Sequence, residues 1–274
     1  DSSHNVLRDM EEQGKHIAVI GMTSYAWLVT YFGTVDSGSV IVPLDVNLPA
    51  EDVCDLIARS DSTVLVYDEV RKDVAAIAKE RCPQLKIIIS MQQESHDDHA
   101  YSFWKLLEEH RGSFDYAPEP DQLCTIMFTS GTTGKSKGVM RTPRNVAENA
   151  TCQDMKNSDG IGDHNSAPIH PATSARRVVL KGVSLGAVIC INDSLMRVAK
   201  NIKLFKPEMI LMVPLMIETM AKKLEEASLL PAKIVKNQVF GKQFHTICSG
   251  GAYLDPSYID LFQKYDITIQ QGYG

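Results

Sequence analysis

Short apolar runs rich in β-branched residues alternate along this chain with stretches of helical periodicity, and that alternation is the strongest constraint on its fold. The first half reads as a helix over residues 6–12, a strand over 15–21, a helix over 24–35, a strand over 39–45, a helix over 51–59, a strand over 63–67, a helix over 73–81 and a strand over 86–90. Ser2, Ser3 and Asn5 are candidate N-caps for the first helix, and Gly14 is its candidate stop. Residues 92–100 are polar and read as a loop, 103–109 as a short helix, and Pro118-Glu-Pro120 as a linker. The second half repeats the alternation without repeating the sequence. Its helices fall at 143–152, 176–184, 195–205, 215–227 and 256–264; a polar turn falls at 157–164, a strand end and turn at 167–171, and strands at 187–191, 209–214, 244–248 and 267–271. Strands that alternate with helices form βαβ units and a mainly parallel sheet. The expected class is therefore α/β, as two stacked α/β subdomains over residues 1–145 and 146–274.

The 274 residues suffice for one large domain or two small ones, and 44% of them are hydrophobic. A chain of this size buries about 75% of its unfolded surface. The net charge of −6 argues against a nucleic-acid partner, which would need clustered Lys and Arg. Six widely spaced cysteines, with no C-x-x-C, read as buried free thiols in a reducing cytoplasm. No apolar stretch is long enough to span a bilayer, and no signal-peptide pattern is present. The chain does not begin with Met, so the expectation is that a piece precedes it. His96-Asp-Asp-His99 has two histidines at loop spacing and no third ligand group, and reads as a solvated loop rather than a metal site.

One stretch stands apart. After the strand-like run at 125–128 comes Thr129-Ser-Gly-Thr-Thr-Gly-Lys-Ser-Lys-Gly138. Glycines let the backbone approach a ligand closely. Consecutive backbone N–H groups in such a loop form a concave anion site, and hydroxyls and lysines add donors and charge suited to phosphate. Arg141 and Arg144 extend the positive charge. The stretch is not a Walker loop, because Thr129 stands where the first glycine would be. Nor is it a G-x-S-x-G elbow, because Phe128 and Thr132 flank Ser130 at the glycine positions.

The same stretch closely resembles the phosphate loop of the adenylate-forming enzymes, with Ser136 in place of the usual proline. The resemblance runs along nearly the whole chain. Residues 15–27 are similar to that family's first strand and helix, and Gly38-Ser-Val-Ile-Val-Pro-Leu-Asp45 to its G-x-x-x-V-P-L-D segment. Ala167-Pro-Ile-His170 falls where the family has L-P-L-x-H, with Gly186-Ala187 beyond it. Ser249-Gly-Gly-Ala-Tyr-Leu-Asp-Pro256 resembles G-G-A-P-L, and Gln270-Gln-Gly-Tyr-Gly274 the opening of Q-G-Y-G-x-T-E. Within the family, residues 212–220 and the Gly-Gly-Ala segment look most like bacterial long-chain fatty-acid–CoA ligases. Two departures bear on the substrate: Pro143 stands where His is common, and residues 171–177 are polar where a fatty-acyl enzyme is more apolar and aromatic, which points to a shorter or more polar acid.

The resemblance implies that this is the large N-terminal domain of such an enzyme, without its mobile C-terminal domain. It implies ATP, Mg²⁺ and CoA as cofactors, a small carboxylic acid as substrate, and a ligase reaction through an acyl-adenylate. Thr129, Ser130, Gly131, Thr132, Thr133, Gly134 and Lys137 would bind the phosphates. Gly250, Gly251, Ala252, Gln271, Gly272, Tyr273 and Gly274 would border adenine, with Tyr273 stacking on the base. His170 would lie beside the acyl pocket. No catalytic residue falls within the chain, because the family's Mg²⁺-holding Glu and catalytic Lys come after Gly274. Removing one such electrostatic group lowers rates about 10²–10³-fold, so the chain alone is expected to be nearly inactive. An amino-acid adenylation domain and a non-catalytic nucleotide-binding module are the alternatives.

Overall fold

The computed structural model describes residues 2–113, 115–129, 136–151, 164–167, 182, 186–192, 195–227 and 229–272. The chain forms two compact units, Asp1–Glu148 and Asn149–Gly274.

The first unit is built on a seven-stranded sheet: β1 (His16–Ile20), β2 (Val40–Leu44), β3 (Ser62–Tyr67), β4 (Ile87–Ser90), β5 (Tyr101–Ser102), β6 (Thr125–Thr129) and β7 (Lys137–Arg141). Their order across the sheet is β5-β4-β3-β1-β2-β6-β7. Every neighbouring pair is parallel except β6 with β7. Its helices are α1 (Ser2–Asp9), α2 (Tyr25–Asp36), α3 (Ala50–Arg59), α4 (Lys72–Arg81), α5 (Phe103–Glu109) and α6 (Pro143–Thr151), the last of which runs across the boundary between the units.

Strand periodicity explains why this sheet is covered on both faces. Successive side chains point to opposite sides, and here both sets are apolar. Ile17, Val19 and Ile41 pack with Leu7 of α1, Trp27 and Tyr31 of α2, and Phe103 and Leu106 of α5. Ala18, Ile20 and Val42 pack on the other side with Val53, Leu56 and Ile57 of α3 and with Val74 and Ala78 of α4. Parallel sheets of this kind read as near-continuous hydrophobic runs for that reason.

The second unit carries a five-stranded, all-parallel sheet: β8 (His164–Ala167), β9 (Val188–Ile191), β10 (Met209–Met212), β11 (Thr246–Ser249) and β12 (Thr268–Gln271), in the order β12-β11-β10-β8-β9. Its helices are α7 (Val198–Phe205), α8 (Pro214–Glu226), α9 (Ala232–Val239) and α10 (Pro256–Gln263). The core is aromatic at its centre. Phe240 and Phe244 stack with centroids 4.5 Å apart, and Phe262 meets Phe240 edge-on at 6.0 Å.

Several local expectations are corrected. The first helix begins at Ser2 and ends at Asp9, so Ser3 and Asn5 lie inside it rather than capping it. It stops early because Glu11 takes a left-handed conformation and the Glu12 N–H turns back to the Leu7 carbonyl. That turn buries the Glu12 carboxylate, which accepts from Thr63 Oγ1 and, at 3.2 Å, from Lys86 Nζ. β5, β7 and α9 were not read from the sequence. Residues 195–197 form a 3₁₀ turn ahead of α7. Of the helix expected at 176–184 only Gly182 is described, and it is helical and buried; residues 168–171 and Cys152 lie outside the described residues, while residue 164 of the expected polar turn opens β8. Cys54, Cys82, Cys124 and Cys248 are buried free thiols, and Cys190 is half-buried. Among the described residues, no helix is long and apolar enough to cross a membrane.

Candidate functional site

The sequence-predicted residues fall at two places, one in each unit. In the first unit, β6 and β7 form the antiparallel stem of a hairpin. Thr125 and Met127 point into the core, whereas Thr129 is exposed at the strand end. Lys137, also exposed, is its direct partner across the ladder. The stem therefore holds a hydroxyl and an ammonium side by side at the mouth of the loop. Ser130, Gly131, Thr132, Thr133, Gly134 and Lys135 lie outside the described residues.

The stem is tied into the unit at its base. Cys124 accepts from the Ile41 N–H and donates to the Arg141 carbonyl, both at 2.9 Å. One step below the mouth, Phe128 pairs with Gly138. A Cβ on Gly138 would stand 3.2 Å from Ile126 Cγ2 and 3.5 Å from Phe128 Cε1. The glycine thus lets the aromatic side chain lie across the neighbouring strand.

One basic residue expected near the loop is otherwise engaged. Arg144 donates from Nε and Nη2 to Asp121 at 2.7 and 2.8 Å. That bidentate hydrogen bond holds the Asp121 carboxyl below its usual range and raises the Arg144 guanidinium. A guanidinium committed to a carboxylate fork is a poor anion ligand, which leaves Lys137 and Arg141 as the described cations of the hairpin.

In the second unit, β11 and β12 run parallel, with Ser249 opposite Gln271. Their carboxyl ends are tied by the Gly272 N–H, which donates to the Ser249 carbonyl at 2.8 Å. A Cβ on Gly250 would come within 3.1 Å of the Gly272 carbonyl oxygen, so a side chain there would press the two strand ends apart by a few tenths of an ångström. Gly251 has φ +86°, which favours glycine. Gly251 and Ala252 are exposed, and the loop is re-anchored by Leu254, which is buried. Asp255 then caps α10 by accepting from the Ser257 N–H at 2.8 Å, which holds its carboxyl below the usual range.

Gly250, Gly251, Ala252, Gln271 and Gly272 are thus gathered at adjacent strand ends. Open parallel sheets bind ligands outside the carboxyl ends of their strands. Tyr273, Gly274 and His170 lie outside the described residues. Ser249 was not singled out from the sequence. It is buried, and its Oγ finds no hydrogen-bond partner among the described residues. A buried hydroxyl left unmatched is costly unless a ligand or water completes it, so Ser249 joins the candidate set. The only sequence signal for it was its place at the head of the Gly-Gly-Ala segment. Among the described residues, no group of three or more His, Cys, Asp and Glu side chains stands ready to hold a metal ion. The described donors therefore do not form a Mg²⁺ site.

Comparison with known proteins gives these places a family context. The family model for the AMP-binding enzymes matches residues 5–274. A long-chain-fatty-acid–CoA ligase of Rattus norvegicus is 24% identical over 209 residues, covering 66% of this chain and 28% of that protein. The D-alanine–D-alanyl carrier protein ligase of Listeria monocytogenes is 30% identical over 169 residues, covering 60% of this chain and 30% of that protein. The matched stretches thus span less than a third of either relative's length. The solved N-terminal domain of FACL13 from Mycobacterium tuberculosis superposes with a TM-score of 0.81 at 20% identity, covering 100% of this chain and 67% of that one. That likeness carries the fold: a mixed α/β domain with mostly parallel sheets.

Proposed function

Because the chain belongs to the AMP-binding enzyme family, we propose that it is the ATP-handling part of a ligase that activates a carboxylic acid as its acyl-adenylate. The leading acid class is a fatty acid, and the acceptor of the acyl group is the thiol of CoA. The carboxylate oxygen forms a bond to the α-phosphorus of ATP while the bond from that phosphorus to the bridging oxygen of pyrophosphate breaks. The thiolate then attacks the acyl carbon and AMP leaves. Neither step asks for a protein nucleophile. The protein positions the reactants and offsets charge.

In this reading the loop from Thr129 through Ser130, Gly131, Thr132, Thr133 and Gly134 to Lys137 takes the β- and γ-phosphates. Gly250, Gly251, Ala252, Gln271, Gly272, Tyr273 and Gly274 border the adenine, Ser249 offers its buried hydroxyl there, and His170 lies beside the acyl group. The hairpin supports the reading most directly: its two arms bring an exposed hydroxyl and an exposed ammonium together at the mouth of a Gly- and Thr-rich loop. The Mg²⁺ that accompanies ATP in this chemistry would come with the nucleotide and find its protein donor elsewhere. The relationship to a D-alanine-activating ligase supports a second reading, in which the acid is an amino acid and the acceptor a carrier-protein thiol.

ATP–pyrophosphate exchange tests both readings. The panel would include fatty acids of graded length, aromatic acids and D-alanine, and would be run on this chain and on the full-length gene product. Exchange by the full-length protein with one acid class is expected, with little or none from this chain alone. Exchange with D-alanine only would replace the fatty-acid reading with the amino-acid one. Retained ATP binding with no exchange for any acid would replace both with a nucleotide-binding module.

A further inference from the structure

Arg59 ends α3, far in sequence from the hairpin, yet it holds both arms of the hairpin neck. Its Nη2 donates to the Ser136 carbonyl at 2.7 Å. Its guanidinium carbon stands 5.3 Å from the centroid of the Phe128 ring. Phe128 lies on β6 and Ser136 immediately precedes β7, so one guanidinium bridges the outgoing and returning strands. Phe128 in turn packs against the core cluster that holds Leu56 and Ile57 of α3. The neck is therefore referred to the body of the unit through a planar cation lying on a ring.

We infer that Arg59 is a positioning residue for phosphate binding. It fixes the spacing of the two arms from which Thr129 and Lys137 present their hydroxyl and ammonium. The inference rests on the phosphate-loop reading above and goes beyond it, because nothing in the loop's own sequence assigns a role to a residue 77 positions upstream. The choice of arginine fits the task. Only a guanidinium both stacks flat on an aromatic face and donates sideways to a carbonyl, whereas an ammonium is a point charge. Ordering the neck in advance also lessens the ordering left for the moment of binding.

The test is calorimetric binding of ATP and of inorganic tripolyphosphate to the protein and to Arg59→Ala, Arg59→Lys, Phe128→Leu and the double variant Arg59→Ala/Phe128→Leu. Arg59→Ala is expected to weaken both ligands about five- to tenfold, the scale of an exposed cation–π contact plus a charge-assisted hydrogen bond. Arg59→Lys should recover part of the loss. Phe128→Leu should weaken both ligands although it removes no charge, and the double variant should bind no worse than Arg59→Ala. Without ligand, the β7 amides should exchange hydrogen faster in Arg59→Ala, while thermal unfolding stays near that of the parent protein because the side chain is exposed. Unchanged affinity in Arg59→Ala would overturn the inference and leave the phosphate-loop reading standing. Loss in Arg59→Ala with full affinity in Phe128→Leu would replace positioning with direct contact to phosphate. If the parent protein binds neither ligand, the phosphate-loop reading falls and takes this inference with it.

Discussion

Cys248 sits in β11, one residue before the Ser249 hydroxyl, with its Sγ 3.6 Å from Met209 Sδ. Burial pushes its thiol from 9.0 up to about 11, and burial does the same to Cys54. These groups are neutral in the fold and resist losing a proton there. The sign of the pH effect follows. Below about pH 9 both folded and unfolded thiols are protonated, and stability is flat with respect to them. Between about 9 and 11 the unfolded chain releases its protons first, so stability falls as pH rises. For Cys248 a shift of this size is worth about 2–3 kcal/mol at the top of the window. Urea unfolding of the parent protein and of Cys248→Ala, compared from pH 8 to 11, should show a shallower alkaline decline in the variant. Parallel declines would mean that the thiol is not held neutral by burial. At neutral pH the same burial should make Cys248 slow to alkylate.

At the scale of elements, α2, α5 and α10 begin at side-chain caps. α2 starts after Ser24, whose Oγ accepts from the Trp27 N–H at 3.2 Å. The cap sets the angle at which Trp27 and Tyr31, stacked with centroids 5.7 Å apart, enter the core. Ser24→Ala should cost about 1 kcal/mol, and Ser24→Asp should retain most of it, because aspartate accepts the same hydrogen bond. Chemical denaturation reads the difference, and equal stability of all three proteins would remove the cap from the account. The Ser24 cap sits where the expected helix at 24–35 places its start. The Arg59 bridge was not legible, because its partners are brought to it only by sheet formation. β7 escaped for a related reason. Lys137-Gly-Val-Met-Arg141 is exposed along most of its length and holds its strand conformation through pairing with β6. α9 was missed although Ala232, Val235 and Val239 recur at i, i+3 and i+7 and pack on the core, because an element of eight residues gives that pattern only two turns in which to show.

At the scale of the molecule, each unit carries its own core. In the second unit the Phe240, Phe244 and Phe262 cluster is fully buried beneath β10, β11 and β12. Phe244→Ala should destabilise that unit by about 3–5 kcal/mol, the range for truncating a buried aromatic. Hydrogen exchange should then show protection lost in the amides of β10, β11 and β12, with β1 to β4 still protected. Uniform loss across both sheets would mean that the units unfold together.

The sequence by itself determined the class of fold and the chemistry of the loops. Apolar runs alternating with helical segments specify parallel sheets because each strand must be covered on both faces. Glycine, threonine and lysine in the 129–138 stretch carry their conformational freedom, hydroxyls and charge wherever the chain goes. These are properties of neighbours in sequence, and they can be read there. The tertiary structure alone decided which residues meet: that β1 lies between β3 and β2, that Arg144 is taken by Asp121, that the Ser249 hydroxyl is buried and unmatched among the described residues, and that Arg59 reaches across to Phe128 and Ser136. Those contacts join residues distant along the chain. Their free energy is realised only after the sheet has closed and excluded water, so no local stretch of sequence records them.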